Sequence, residues 1–164
     1  PMSTPINNGG FNIVDLQDII IAKVKETFPN HTIYEDSIPD DADLPITKLG
    51  QIQPYIVLRF GPLRPSYVGK SLVGPRHDEY WASCDLIAIS QNGRVSRKLN
   101  AALVSNMIGF RPDGVSPMQM RTDAGDPAQF VVSSNEARPT QYVSTTRLRY
   151  TVNGTNVGAP VVIP

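Results

Sequence analysis

At 164 residues the chain has the length of one domain and can bury roughly 70% of the surface its unfolded form would expose, so it is long enough for a core of its own. Fifteen basic and fifteen acidic side chains cancel, and the basic footprint of a dedicated nucleic-acid binder is missing. No apolar run approaches the roughly 18 residues of a membrane span, no basic-then-apolar leader opens the sequence, and the single Cys84 cannot form an intrachain disulfide; a soluble protein made in the cytosol is the expectation.

In chain order, residues 1–10 read as a polar N-terminal arm, 11–152 as one α/β domain and 153–164 as a C-terminal arm. The first helix is predicted from about Asn12 to Phe28. Ile13, Leu16, Ile20 and Val24 recur at steps of three and four, Asn12 can cap the free amides of the first turn, Asp15 suits the positive end of the helix dipole, and Pro29 cannot continue the ladder. Ile19, Ile21 and Phe28 widen the apolar surface, which points to burial on a second side. A weaker strand candidate follows at His31 to Glu35. Pro39 to Gln53, with Asp40, Asp41 and Asp43, lacks a clear element and reads as an extended excursion over the surface.

Tyr55 to Phe60 is a short apolar run rich in β-formers between Pro54 and Gly61-Pro62, and reads as a well-covered strand. Tyr80 to Ser90 is a longer strand. Trp81, Ile87 and Ile89 alternate with Tyr80, Ala82, Cys84, Leu86 and Ala88, so both faces meet apolar surroundings except at Ser83 and Asp85. The connection between these strands, Gly61 to Asp78, is far longer than a hairpin needs and carries Arg64, Tyr67, Lys70 and Arg76, the donors and aromatic favoured at interfaces.

A second helix opens at Asn92-Gly93. Val95, Leu99, Ala102, Leu103, Met107 and Phe110 share one face, Arg94, Arg97, Lys98, Asn100 and Ser105 fall largely elsewhere, and Pro112 ends the run. Both helices are expected to pack on the sheet through Leu16, Ile20, Leu99, Leu103 and Met107. Ser116 to Thr122 and Gln129 to Ser133 are weaker strands, and Gln141 to Val152 is a strong one: Tyr142, Leu148, Tyr150 and Val152 line one face, Thr145, Arg147, Arg149 and Thr151 the other. Arg147 and Arg149 therefore project together, toward solvent or toward a partner's carboxylates. The apolar ending Val161-Val162-Ile163 suits pairing along a sheet edge, its own or a neighbour's. These elements predict an α/β (α+β) fold: a mainly antiparallel or mixed central sheet, flanked by two main helices, with a long loop joining two strands.

No motif supplies chemistry. Gly69-Lys70-Ser71 resembles the end of a phosphate-binding loop, but Arg64 stands where its first glycine is required and Pro75 lies where a helix must begin. His77 beside Asp78 has no nucleophile placed with it, and Cys84 is mid-strand. Asp40, Asp41 and Asp43 lack the alternation and glycine of a calcium loop, and two histidines with one cysteine do not assemble a zinc site. Asn30-His31-Thr32 and Asn153-Gly154-Thr155 are chance matches to a glycosylation triplet. No catalytic, cofactor or metal residue is assigned.

The order helix, strand, strand, long loop, strand, helix, strands resembles that of the tail terminator proteins of long-tailed bacteriophages, the lambda tail terminator and its relatives. The likeness is carried by the helix Ile13 to Phe28, the strands Tyr55 to Phe60 and Tyr80 to Ser90 with their extended connection, and the helix Val95 to Phe110, and it covers most of residues 11 to 152. It is architectural and brings no functional residue with it. It implies a non-enzymatic virion subunit that forms a homo-oligomeric ring, a hexamer in that family. Such a ring sits at the head-proximal end of the tail, caps the tube of major tail protein, ends its polymerisation and meets neck or head-completion proteins, while DNA passes through the lumen without specific binding. Another head–tail connector, such as a head-closure or minor tail protein, and a small enzyme with an unfamiliar site are the alternatives. Arg64, Tyr67, Lys70, Arg76, Arg147 and Arg149 are the interface candidates.

Overall fold

The structure, a computed structural model, describes residues 5–6, 13–37, 44–65, 79–114, 116–120, 130–134, 141–153 and 161–162. Helix α1 spans Ile13–Thr27 and helix α2 Gly93–Met107. The main sheet is built from β2 (Ile33–Glu35), β3 (Tyr55–Phe60), β4 (Arg64–Pro65), β5 (Glu79–Ser90), β6 (Gln119–Met120), β7 (Phe130–Ser134) and β8 (Gln141–Asn153). Its order is β2-β3-β5-β8-β6, with β4 on β5 and β7 on β8.

The sheet is mixed. Only β2 with β3 is parallel, and every other pair is antiparallel. The strand β4 extends the line of β3 along the same edge of β5. Between the pairs Phe60↔Cys84 and Arg64↔Trp81, the three residues Gly61, Pro62 and Leu63 oppose the two residues Ala82 and Ser83, which makes a bulge. Pro62 is tolerated there because the ladder is already interrupted. Gly61 donates its N–H to the Ser83 carbonyl (2.8 Å), and a Cβ at this position would lie 2.1 Å from the Ser83 hydroxyl. On the far side, β6 and β7 share the outer edge of β8 in the same way.

Both helices lie on one face of this sheet. Leu16, Ile20, Ile21 and Val24 of α1 and Leu99, Leu103 and Met107 of α2 bury against Ile56, Leu58, Ala82, Cys84, Leu86, Ala88, Leu148, Tyr150 and Val152. The five helix residues expected to make this contact all do so. Of the residues that widened the first helix, Ile21 is buried and Phe28 packs at the rim, but Ile19 is exposed.

The caps account for the helix limits. Asn92 accepts from the amides of Arg94 (2.8 Å) and Val95 (3.4 Å), satisfying donors that the first turn leaves free. The second helix stops at Met107, earlier than Pro112 alone implies: Ile108 is already extended (φ −61°, ψ 129°), and Gly109 at φ 84° completes a turn in which the Phe110 amide donates to the Met107 carbonyl (3.1 Å). Gly109 and Phe110 then bond to Met118, which lies fully buried under the helix end.

Two sequence expectations for the second helix are corrected. Val95 is 38% exposed, not on the buried face, whereas Asn100 is fully buried, not outward. Asn100 sits one turn beyond Ser96 on the side that meets β5 and β8. Its Nδ2 donates to the carbonyls of Leu86 (2.8 Å) and Ser144 (3.0 Å), and its Oδ1 accepts from Thr146 Oγ1 (2.6 Å). Ser96 Oγ donates to the Ala88 carbonyl (2.8 Å). A helix that meets strand carbonyls needs donors at those points, and hydrophobic spacing carries no sign of them.

Half of the opposite sheet face has its own small core. Tyr55, Val57, Ile87 and Ile89 are covered there by Leu44 and Ile52, with Tyr34 and Val143 at the edge. The segment expected as an excursion is thus in part a cover: Ile46 bridges Ile52, Thr47 donates to the Gln51 carbonyl (2.7 Å), and Gly50 takes φ 76° at the turn. Asp40, Asp41 and Asp43 lie outside the described residues. The arms meet each other, β1 (Pro5–Ile6) pairing antiparallel with β9 (Val161–Val162) in a separate two-stranded sheet.

Candidate functional site: the arginine face of the sheet

Beyond the small core, the same face turns polar. Strands β3, β5 and β8 bring Arg59, Asp85 and Arg147 into one cross-strand row, Arg59 opposite Asp85 and Asp85 opposite Arg147. Directly opposed side chains on adjacent strands are close enough to bond. Arg147 grips Asp85 with two donors, Nε to Oδ1 at 2.6 Å and Nη2 to Oδ2 at 3.2 Å. Arg59 donates both Nε and Nη2 to Oδ2 at 3.2 Å.

The burial is unequal. The Asp85 side chain is 5% exposed, those of Arg147 and Arg59 34% and 55%. A carboxylate this buried requires charge and hydrogen-bond compensation, and two guanidinium groups supply it. The carboxylate in turn holds both arginines on the sheet surface, which lowers the conformational freedom they must lose when they engage anything else.

Two residues along β8, Arg149 extends the row. It stands opposite Ser83 and reaches diagonally, so that its guanidinium carbon lies 3.9 Å over the Trp81 ring and Nη2 donates to Gln119 Oε1 (3.2 Å). Stacking of this kind contributes about 0.5 to 2 kcal/mol depending on desolvation. Thr145 and Thr151 are half-buried neighbours on the same face. No helix of the described residues covers this part of the sheet.

Of the six interface candidates, Arg147 and Arg149 fall within this surface and share a face, as their spacing implies. The carboxylate that Arg147 meets belongs to the same chain. Arg64 lies in β4, opposite Trp81. Tyr67, Lys70 and Arg76 lie outside the described residues, as do His77 and the Gly69-Lys70-Ser71 triplet. Arg59, Asp85 and Trp81 were not selected from sequence, although Arg59 and Asp85 are the charged interruptions in two otherwise apolar strands.

Of the other reactive groups among the described residues, Cys84 and Tyr55 sit in the core and His31 is half-buried. Burial, with a smaller contribution from Asp85, pushes the Cys84 thiol far above its usual range, so it is inert as a nucleophile at neutral pH. Tyr55 donates to Gln141 Oε1 at 2.7 Å, and burial followed by the neighbouring Tyr34 pushes its phenol up to about 12. His31 packs edge-on to Phe28. Among the described residues no group of three His, Cys, Asp or Glu side chains is placed to hold a metal ion, and no helix is long and apolar enough to cross a membrane.

No protein-family model matches this chain, and no curated protein sequence matches it.

Proposed function

We propose that this chain is a structural subunit that assembles into a ring, most simply a hexamer, at the head-proximal end of a long-tailed phage's tail, where it caps the tail tube and presents a surface to the neck. The observation that carries this reading is the division of the subunit. One sheet face is closed by both helices, while the opposite face ends in a row of arginines with a stacked tryptophan that no helix of the described residues covers. Arginine and tryptophan are enriched where interfaces derive their energy. An α+β subunit with helices on a mixed sheet agrees with what the resemblance to the tail terminators implies.

Termination needs no covalent chemistry. A ring that binds the last ring of the tube more favourably than the next tube subunit does stops growth by occupying the docking surface, and symmetry repeats each contact around the circle. Removing the chain from phage assembly tests this. Tails assembled without it have uncontrolled lengths and do not join heads, and adding purified protein restores uniform, joined tails. Tails of normal length and normal joining in its absence overturn the reading.

A further inference from the structure

The arginine face has a counterpart on the other side of the same subunit. The residues of α1 that point away from the core include Val14, Asp15, Asp18 and Ile19, with Val14 52% and Ile19 43% exposed. Val14 with Asp18, and Asp15 with Ile19, stand four apart, so the four make one contiguous patch, two carboxylates interleaved with two apolar side chains. Leu16, Ile20 and Val24 lie on the opposite side of the helix, buried toward the sheet. The acidic patch is therefore on the helix side of the molecule and the arginine row on the sheet side that no described helix covers.

The charges are complementary. Arg59, Arg147 and Arg149 against Asp85 leave two positive charges on the sheet face, and Asp15 with Asp18 places two negative charges on the helix. Two arginine faces meeting each other would set like charges together, which disfavours a two-fold dimer through this surface. Contact between the helix side of one copy and the sheet side of the next is free of that conflict. It is heterologous, and repetition of such a contact closes into a ring when the rotation allows.

We propose that the outer face of α1 in one copy, through Asp18, Asp15, Val14 and Ile19, seats on the Arg59–Arg147–Arg149–Trp81 face of the next copy. Trp81 and the apolar α1 residues form the dry centre of the contact, and the guanidinium groups meet the α1 carboxylates around it. The inference rests on the ring reading for its closure, but the surface itself is tested separately.

The test is a charge swap in the full-length chain, with self-association measured by sedimentation over a range of concentrations and folding followed by circular dichroism. Asp18→Arg alone and Arg149→Glu alone each weaken self-association at least about tenfold, since each sets like charges face to face. The double variant, with the pair reversed, recovers to within about threefold of the unaltered chain. Folded single variants that associate normally, a double variant no better than the singles, or an unaltered chain that stays monomeric at the highest concentration overturns the proposal. Tail capping by the same proteins separates the two claims. Charge rescue of self-association without any capping leaves this surface standing and removes the capping reading, while normal capping by variants that associate normally does the reverse.

Discussion

Asp85 shows how one buried charge is maintained by an exposed arginine and a half-buried one. Arg59 is the more exposed of the two, so Arg59→Met, with Arg147 still gripping the carboxylate, costs about 0.5 to 1 kcal/mol. Replacing Arg59 and Arg147 together strands the carboxylate in a site where it is 5% exposed, and costs about 3 kcal/mol or more, beyond the sum of the singles. Urea denaturation of the two single variants and the double variant measures this coupling; additive effects would mean that Asp85 is compensated some other way. None of this row was legible as a row. Arg59 and Asp85 are 26 positions apart and Asp85 and Arg147 62, with the long strand connection and a whole helix between them, so only the strand register brings them together.

At the scale of elements, hydrophobic period located α1, α2, β3, β5 and β8 to within a few residues, because each has a buried face dictated by its own side chains. What the period misplaced was polar. Asn100 looks like a surface residue of an amphipathic helix, yet it binds two strand carbonyls and a threonine hydroxyl in the core. Asn100→Ala leaves those groups unsatisfied and costs about 2 to 4 kcal/mol, as much as the cavity made by Leu103→Ala at about 2 to 5 kcal/mol. Chemical denaturation of both variants distinguishes this from a surface asparagine, whose loss stays within about 0.5 kcal/mol. The segment around Leu44 and Ile52 escaped detection for another reason. Its apolar residues follow neither helical nor strand period, because they cover the sheet from a turn and do not belong to it.

At the scale of the molecule, the two faces of the sheet divide the work: one builds the hydrophobic core that makes the subunit, the other mixes a small core with an arginine surface suited to contact. The α+β class was readable from the alternation of helical and strand periods. The asymmetry was not, because both helices could have packed on either side until tertiary structure placed them together. Whether that asymmetry serves a tail-capping ring is decided most directly by locating the chain on the virion. Gold-labelled antibody against the folded protein, imaged on purified phage and on headless tails, is expected to mark a single position at the head-proximal end of the tail. Label along the tube, at the distal tip, on the capsid alone, or nowhere on the particle contradicts the account.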